Sequence, residues 1–149
     1  MKTKFTGQWS LLSMEAKEAV AEKNKEDKIY PLGRNVRGLL SYSDNEMMSA
    51  QLGSAMRPNF ADNDFRKGSD IEIREAFNGY ISYFGTYQIV EKSGIIIHDV
   101  QMSMFPNWTN TKVKRYFEFS ETEQILTLKA TPIDYEGTIM TPTLIWQKI

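Results

Sequence analysis

The sequence contains no cysteine, and this absence removes three classes of site at once. Disulfide bonds, zinc sites with thiolate ligands and cysteine nucleophiles all require the thiol group. A chain without cysteine suits a reducing compartment, where disulfides rarely persist. Residues 1–5 also lack the apolar core of a signal peptide, so we expect a cytoplasmic protein.

Long apolar runs and an excess of positive charge are also missing. The apolar runs span only a few residues, whereas a helix needs about 20 to cross a bilayer. The chain carries 18 Lys and Arg against 19 Asp and Glu, for a net charge of -1. Nucleic-acid binders typically show a basic patch or stripe, and none is visible here. We therefore expect neither a membrane nor a nucleic acid as partner.

The chain does have enough apolar material for one core. Of its 149 residues, 41% are hydrophobic and 12% are aromatic. A division of a chain of this length would leave two pieces too small for good cores. We therefore expect residues 1–149 to form a single domain.

Alternation of apolar and polar residues, or short apolar runs between turns, predicts strands along most of the chain. The segments are residues 6–14, 38–42, 47–52, 80–90, 95–104, 112–120, 124–130 and 143–149. Together they indicate an all-β fold of eight or nine antiparallel strands in sequential order. Such strands close most naturally into an up-and-down β-barrel, which has no free edges and room for one small ligand. An open sheet with a helix on its concave face is the alternative.

One short helix is predicted in the middle of the chain. Ser69 and Glu72 have the spacing of a capping box, and Gly79 is typical of a helix end. A helix of this length is sufficient to plug one end of a barrel. The polar residues 53–68 before it form a loop long enough to be a lid or a mouth.

A second segment, residues 15–28, is rich in Lys, Glu and Ala. Its apolar content is too low for a helix that packs on a core. We predict a solvated strand extension and a hairpin that turns near Asn24, with a short exposed helix as the alternative.

Several blocks of sequence resemble one known family. Gly7-Gln8-Trp9 resembles the Gly-x-Trp signature of lipocalins and their calycin relatives. Further blocks match the bacterial and fungal lipocalin-like domain proteins in the same order. They are Tyr30-Pro31-x-Gly33, Gly38-x-Leu40-x-Tyr42, Met48-Ser49-Ala50-Gln51-Leu52, Phe77-x-Gly79-Tyr80, Tyr83-Phe84-Gly85-Thr86-Tyr87, His98, Phe105-Pro106-Asn107-Trp108, Lys114-Arg115-Tyr116 and Leu144-x-Trp146. The resemblance covers almost the whole chain and implies a lipocalin-like β-barrel with a ligand cavity.

His98 is the only histidine in the chain, and its strand face also carries Ile96 and Val100. On the inner face of a barrel it is a candidate general acid or base, or a hydrogen-bond donor to a ligand carbonyl. The alternative is a buried neutral histidine that is satisfied by a tyrosine hydroxyl. A single histidine with no acidic partner on its strand face lacks the usual metal ligands, so no metal site is predicted.

Arg115 shares its strand face with Val113 and Phe117, so strict alternation turns its charge inward, where it needs a partner. The resemblance to lipocalins implies that Arg115 stacks on Trp9 (or on Trp146) and closes one end of the barrel, a contact that suits a guanidinium group. The alternative role is to anchor a carboxylate or phosphate of a ligand.

A pocket in this barrel would be lined by aromatic and methionine side chains from the inner strand faces and by one tryptophan from a turn. The predicted ligand-binding residues are Tyr42, Met48, Tyr83, Tyr87, His98, Met102, Trp108 and Arg115. Core filling is the ordinary role of such side chains. Trp108 either packs under the adjacent loop or gates the mouth.

Three functions are compatible with these features. The preferred hypothesis is a module that binds a small, mostly apolar molecule without any cofactor. The second is a cofactor-independent isomerase or cyclase, in which His98 moves a proton and Arg115 or a tyrosine stabilises developing charge. The third is an interaction domain with a filled core. The sequence shows no Gly-rich phosphate loop, no Gly-x-Ser-x-Gly elbow and no inward pair of carboxylates.

Overall fold

A closed antiparallel β-barrel forms most of the structure, a computed structural model that describes residues 1–18 and 28–149. Its elements are α1 (Lys2–Phe5), β1 (Gly7–Glu18), β2 (Val36–Tyr42), β3 (Met47–Ser54), α2 (Asp70–Asn78), β4 (Tyr80–Val90), β5 (Ile95–Ser103), β6 (Lys112–Phe119), β7 (Ile125–Ala130), β8 (Ile133–Tyr135) and β9 (Thr138–Lys148). Strands β1 to β7 pair in sequence, and β9 closes the barrel between β7 and β1. The predicted up-and-down barrel of eight or nine strands is confirmed: eight strands close it, and β8 is an additional outer strand on β9.

One end of the barrel is closed by an aromatic cluster around α1. Phe5 is fully buried, and its ring makes edge contacts with Tyr42, Phe117 and Phe119 at centroid distances of 5.5, 4.9 and 4.9 Å. Trp9 Nε1 donates a hydrogen bond to the Phe5 carbonyl at 2.8 Å. This end, called the closed end below, is therefore filled by side chains.

The second helix lies at the opposite end of the barrel. Its predicted capping box is present, because Ser69 Oγ accepts from the Glu72 backbone N–H at 3.2 Å and the Glu72 carboxylate accepts from the Ser69 N–H at 2.9 Å. No residue of α2 is buried. The helix, although long enough to plug a barrel end, therefore borders the opening, and the short α1, which was not predicted, fills the other end.

Strand β1 is longer than its sequence pattern predicts. The strand predicted from residue 6 extends to Glu18, whereas the hairpin expected near Asn24 lies outside the described residues. The outer strand β8 has only three residues, too few to produce a detectable alternation. Neither helix in the described ranges is long and apolar enough to cross a membrane.

Candidate functional site

A cavity lies inside the barrel, on the side of His98 that faces away from the closed end. Its volume is about 60 Å³, several times the ~10–15 Å³ needed to hold one water molecule. Ten of its fifteen lining residues are apolar: Met14, Leu40, Ala50, Leu52, Ile81, Leu128, Ala130, Ile133, Pro142 and Leu144. The other five are Tyr83, His98, Trp108, Arg115 and Trp146. The cavity is thus mainly apolar with a few polar groups, as small-molecule sites usually are.

A groove of about 230 Å³, called the mouth groove below, continues the cavity toward the surface. The two spaces share the side chains of Met14, Ile81, Trp108, Ile133 and Pro142. Trp108 lies in a 3₁₀ turn after β5, and its ring makes an edge contact with Tyr83 at a centroid distance of 6.3 Å. Trp108 is therefore positioned between the cavity and the mouth groove.

His98 lies between two tyrosine hydroxyls at the inner end of the cavity. Its Nε2 is 2.7 Å from Tyr42 Oη, and its Nδ1 is 2.9 Å from Tyr83 Oη. Burial holds the pKa of His98 well below its usual 6.5, and the positive charge of Arg115 lowers it further. Burial raises the pKa of Tyr42 well above 10. The imidazole is therefore neutral at neutral pH, with both ring nitrogens engaged.

Arg115 is half-buried and lines the cavity. Its Nη1 donates to the Lys114 carbonyl at 3.0 Å, and no carboxylate of the described residues forms an ion pair with it. The cation over Trp9 is Lys148, whose Nζ is 5.1 Å from the ring centroid. The expectation that Arg115 closes the barrel on Trp9 is therefore wrong.

The reason lies in the strand register. Lys148 is directly opposite Trp9 on β1, near the closed end, whereas Arg115 pairs with Ala130 at the level of the cavity. No aromatic ring in the described part of the chain stacks on Arg115, Trp146 included. The guanidinium group is thus available to the cavity.

Trp146 carries a buried N–H group without a partner. Across residues 1–18 and 28–149, its Nε1 is the one buried side-chain nitrogen or oxygen that has no hydrogen-bond partner. An unsatisfied buried donor costs about 1–3 kcal/mol. Since Trp146 lines the cavity, a bound molecule or a water molecule there is the natural acceptor for it.

The sequence of residues 6–149 matches the family described as lipocalin-like domain. The chain belongs to this lipocalin-like domain family. It is also 28% identical over 109 residues to a 4'-hydroxy-3'-methoxypropiophenone carrier protein of Aspergillus oryzae, an alignment that covers 68% of this chain and 96% of that relative.

In this lipocalin-like domain, four of the eight predicted ligand-binding residues line the cavity: Tyr83, His98, Trp108 and Arg115. Tyr42 stands behind His98 and reaches the cavity only through the hydrogen bond between them. Met48 is buried in the core beside Tyr42, and Tyr87 Oη donates to the Ser43 carbonyl at 2.7 Å. Neither Met48 nor Tyr87 lines the cavity.

Met102 lies on the outer face of the barrel, so the prediction that it faces the interior is wrong. Its side chain is 63% exposed. The register between β4 and β5 shifts here, because Phe84 pairs with Met102 whereas the next residue, Gly85, pairs with Val100. The one extra residue, Gln101, reverses the alternation and turns Met102 outward.

The prediction missed several lining residues, most clearly the small ones. Ala50 and Ala130 leave space where a larger side chain would fill the barrel. Alternation from Leu128 to Ala130, and from Leu144 to Trp146, carried the signal for these four lining positions. The described residues contain no cluster of three metal-ligating side chains.

Proposed function

We propose that this lipocalin-like domain binds a small, mostly apolar molecule in the barrel cavity and that the mouth groove is its entrance. The observation that carries the proposal is a mainly apolar cavity lined by Trp146, whose buried N–H has no partner among the described residues. A cavity without a ligand would leave this donor unsatisfied unless water occupied it.

The relative from Aspergillus oryzae suggests the chemical class of the ligand. It is named as a carrier of 4'-hydroxy-3'-methoxypropiophenone, which is an aryl ketone. An aromatic ring matches the apolar chemistry of most of the wall, and a ketone oxygen would accept hydrogen bonds from its polar part. We therefore propose aryl ketones, and molecules of similar size and polarity, as the first ligands to test.

The geometry supports binding more than the two alternatives. A space of about 60 Å³ among the inner side chains argues against a completely filled core. Both nitrogens of His98 are engaged by tyrosine hydroxyls, which favours a positioning role over proton transfer to a substrate. A turnover assay with His98→Ala separates these roles, because an enzyme would lose product formation while it retained binding.

The first experiment is native mass spectrometry of gently purified protein, followed by titration with propiophenone and detection by tryptophan fluorescence. Trp108 and Trp146 line the cavity, so an occupied cavity changes their emission. We expect one molecule bound per chain. The proposal fails if the purified protein is empty and neither propiophenone nor a panel of comparable apolar molecules binds.

A cavity-filling substitution shows whether binding occurs at this place. Ala130→Phe adds a ring to the cavity wall, and we expect at least a tenfold loss of propiophenone affinity. Ala55→Phe is the matched control because Ala55 is exposed in the loop after β3. Ala50→Leu is a smaller filling change in case Ala130→Phe does not fold. Undiminished affinity in a folded filling variant would contradict the assignment of the site.

A further inference from the structure

The hydroxyl of Tyr42 has one hydrogen-bond partner in the described chain, His98 Nε2 at 2.7 Å. Tyr42 is buried in the closed half of the barrel. If Nε2 carried the imidazole proton, it would donate to Tyr42, and the Tyr42 O–H would have no acceptor in a packed core. Such an unsatisfied donor is unfavourable. Tyr42 therefore donates to Nε2, and the proton of the neutral ring lies on Nδ1.

The same proton accounting determines the direction of the second hydrogen bond. Nδ1–H donates to Tyr83 Oη, and the 2.9 Å separation is typical of an N–H···O bond. The hydroxyl proton of Tyr83 is then not used by His98. Since Tyr83 lines the cavity, this O–H is free to donate to a molecule inside it.

The remaining polar groups of the cavity wall are also donors. Arg115 and the two tryptophans, Trp108 and Trp146, have side chains that donate hydrogen bonds and accept none. The described residues that line the cavity include no Asp, Glu, Asn, Gln, Ser or Thr. A ligand group that only donates would find as its side-chain acceptor there only the remaining lone pair of Tyr83 Oη.

Arg115 gives this donor-lined cavity a positive charge. Its guanidinium has no carboxylate partner among the described residues. Burial lowers the pKa of His98 and the charge of Arg115 lowers it further, whereas burial raises the pKa of Tyr42 and the charge of Arg115 opposes that rise. The field favours oxygen atoms with negative or partial negative charge and disfavours cations.

We propose that the cavity selects apolar molecules whose polar groups are hydrogen-bond acceptors, and that Tyr83 donates to a carbonyl-type oxygen of the ligand. In this arrangement His98 and Tyr42 are positioning residues, because they fix the direction of the Tyr83 proton without touching the ligand oxygen. The inference rests on the proposed function and adds the rule by which this site chooses its ligand.

The test compares two probes of nearly equal shape, propiophenone and propylbenzene, which differ by a carbonyl group in place of a methylene group. We expect the protein to prefer the ketone, and Tyr83→Phe to lower ketone affinity about tenfold with little change for the hydrocarbon. The infrared carbonyl stretch of bound propiophenone should lie at lower frequency in the parent protein than in Tyr83→Phe. Tyr87→Phe is the matched control because the Tyr87 hydroxyl binds the Ser43 carbonyl away from the cavity.

Tyr42→Phe tests the positioning role. It removes the donor to Nε2, so the imidazole can adopt the other tautomer and Tyr83 can donate to Nδ1. We expect a smaller ketone preference and a partial reversal of the infrared shift, although Tyr42 does not line the cavity. If Tyr42 had a purely structural role, Tyr42→Phe would lower the affinities for propiophenone and propylbenzene by the same factor.

The outcomes separate this inference from the proposed function. Equal affinity for ketone and hydrocarbon, or equal loss of both in Tyr83→Phe, overturns the selection rule and leaves ligand binding intact. Benzylammonium binding as tightly as benzoate overturns it as well. Failure of every probe to bind overturns the proposed function, and the selection rule with it.

Discussion

His98 illustrates how a residue's chemistry is set by its partners. Two phenolic hydroxyls bond its ring nitrogens, and burial removes the water that would stabilise the charged form. The sequence indicated an inward histidine and offered a tyrosine hydroxyl as its partner. It did not indicate two partners, because Tyr42 and Tyr83 lie on different strands whose register sets these distances.

His98 should stay neutral in the folded protein on mild acidification. As its pKa is depressed in the folded state, the imidazole C–H resonances should show no titration between pH 7.5 and 5.5 in a two-dimensional NMR spectrum. Assignment is immediate because the chain has one histidine. A titration midpoint near 6.5 would contradict the buried, neutral state.

Stability should depend on pH through the same residue. The unfolded chain takes up a proton near pH 6.5 while folded His98 stays neutral, so the unfolded state binds more protons below that pH. The contribution is fully present above pH 6.5 and falls by about 1.4 kcal/mol on acidification to pH 5.5. Urea denaturation at pH 7.5 and 5.5 measures this loss, and His98→Gln should lack it.

Gly85 is required by the irregular pairing of β4 with β5. A Cβ atom on this residue would lie 1.9 Å from the Asp99 carbonyl oxygen. Gly85→Ala should therefore lower the free energy of unfolding by about 3 kcal/mol. Gly137→Ala is the comparison. A Cβ atom on Gly137 would meet nothing within 4 Å, so the substitution is opposed only by the φ of +78° at this residue, which costs about 1–2 kcal/mol for a residue other than glycine. Equal effects in urea denaturation would contradict this account.

At the scale of elements, α2 depends on its capping residues more than on burial. None of its residues is buried, so the hydrogen bonds at Ser69 supply much of what holds its first turn. Local composition is therefore sufficient to predict this helix. The four-residue α1 has too few residues for a periodic pattern, and its stability comes from Phe5 inside the barrel, which local sequence does not show.

Removal of the capping box of α2 should destabilise this helix locally without unfolding the barrel. Ser69→Ala should destabilise the first turn of α2 by about 1 kcal/mol, so hydrogen exchange of the Glu72 and Ile73 amides should be roughly fivefold faster than in the parent protein. Ser69→Asp retains an acceptor and should leave these rates close to those of the parent protein. The melting temperature of the barrel should change little in both variants. Unaltered exchange in Ser69→Ala would show that the helix does not depend on its cap.

At the scale of the whole molecule, β9 closes the sheet into a barrel. It pairs with β1, β7 and β8. The strands were predictable from alternation, and closure followed from their number and order. The cavity was not predictable in detail, since its position depends on where Ala50 and Ala130 come opposite large side chains.

Loss of β9 should therefore abolish the fold. A chain that ends at Gly137 leaves β1 and β7 as unpaired edges, and we expect aggregation and no cooperative thermal transition by circular dichroism. Removal of Ile149 alone is the control, because this residue is 74% exposed. A cooperative transition in the longer truncation would show that the sheet is stable when open.

The closed end around Phe5 has a kinetic consequence. In the described structure, side chains fill the barrel between His98 and the closed end, so a ligand that enters by the proposed entrance, the mouth groove beside Trp108, has to leave by the same route. The bound ligand then has to dissociate before a competitor can bind. In stopped-flow displacement, the observed rate should reach a plateau equal to the dissociation rate constant, however concentrated the competitor. Trp108→Ala widens the connection between the cavity and the mouth groove, so it should raise the dissociation rate constant and with it the plateau.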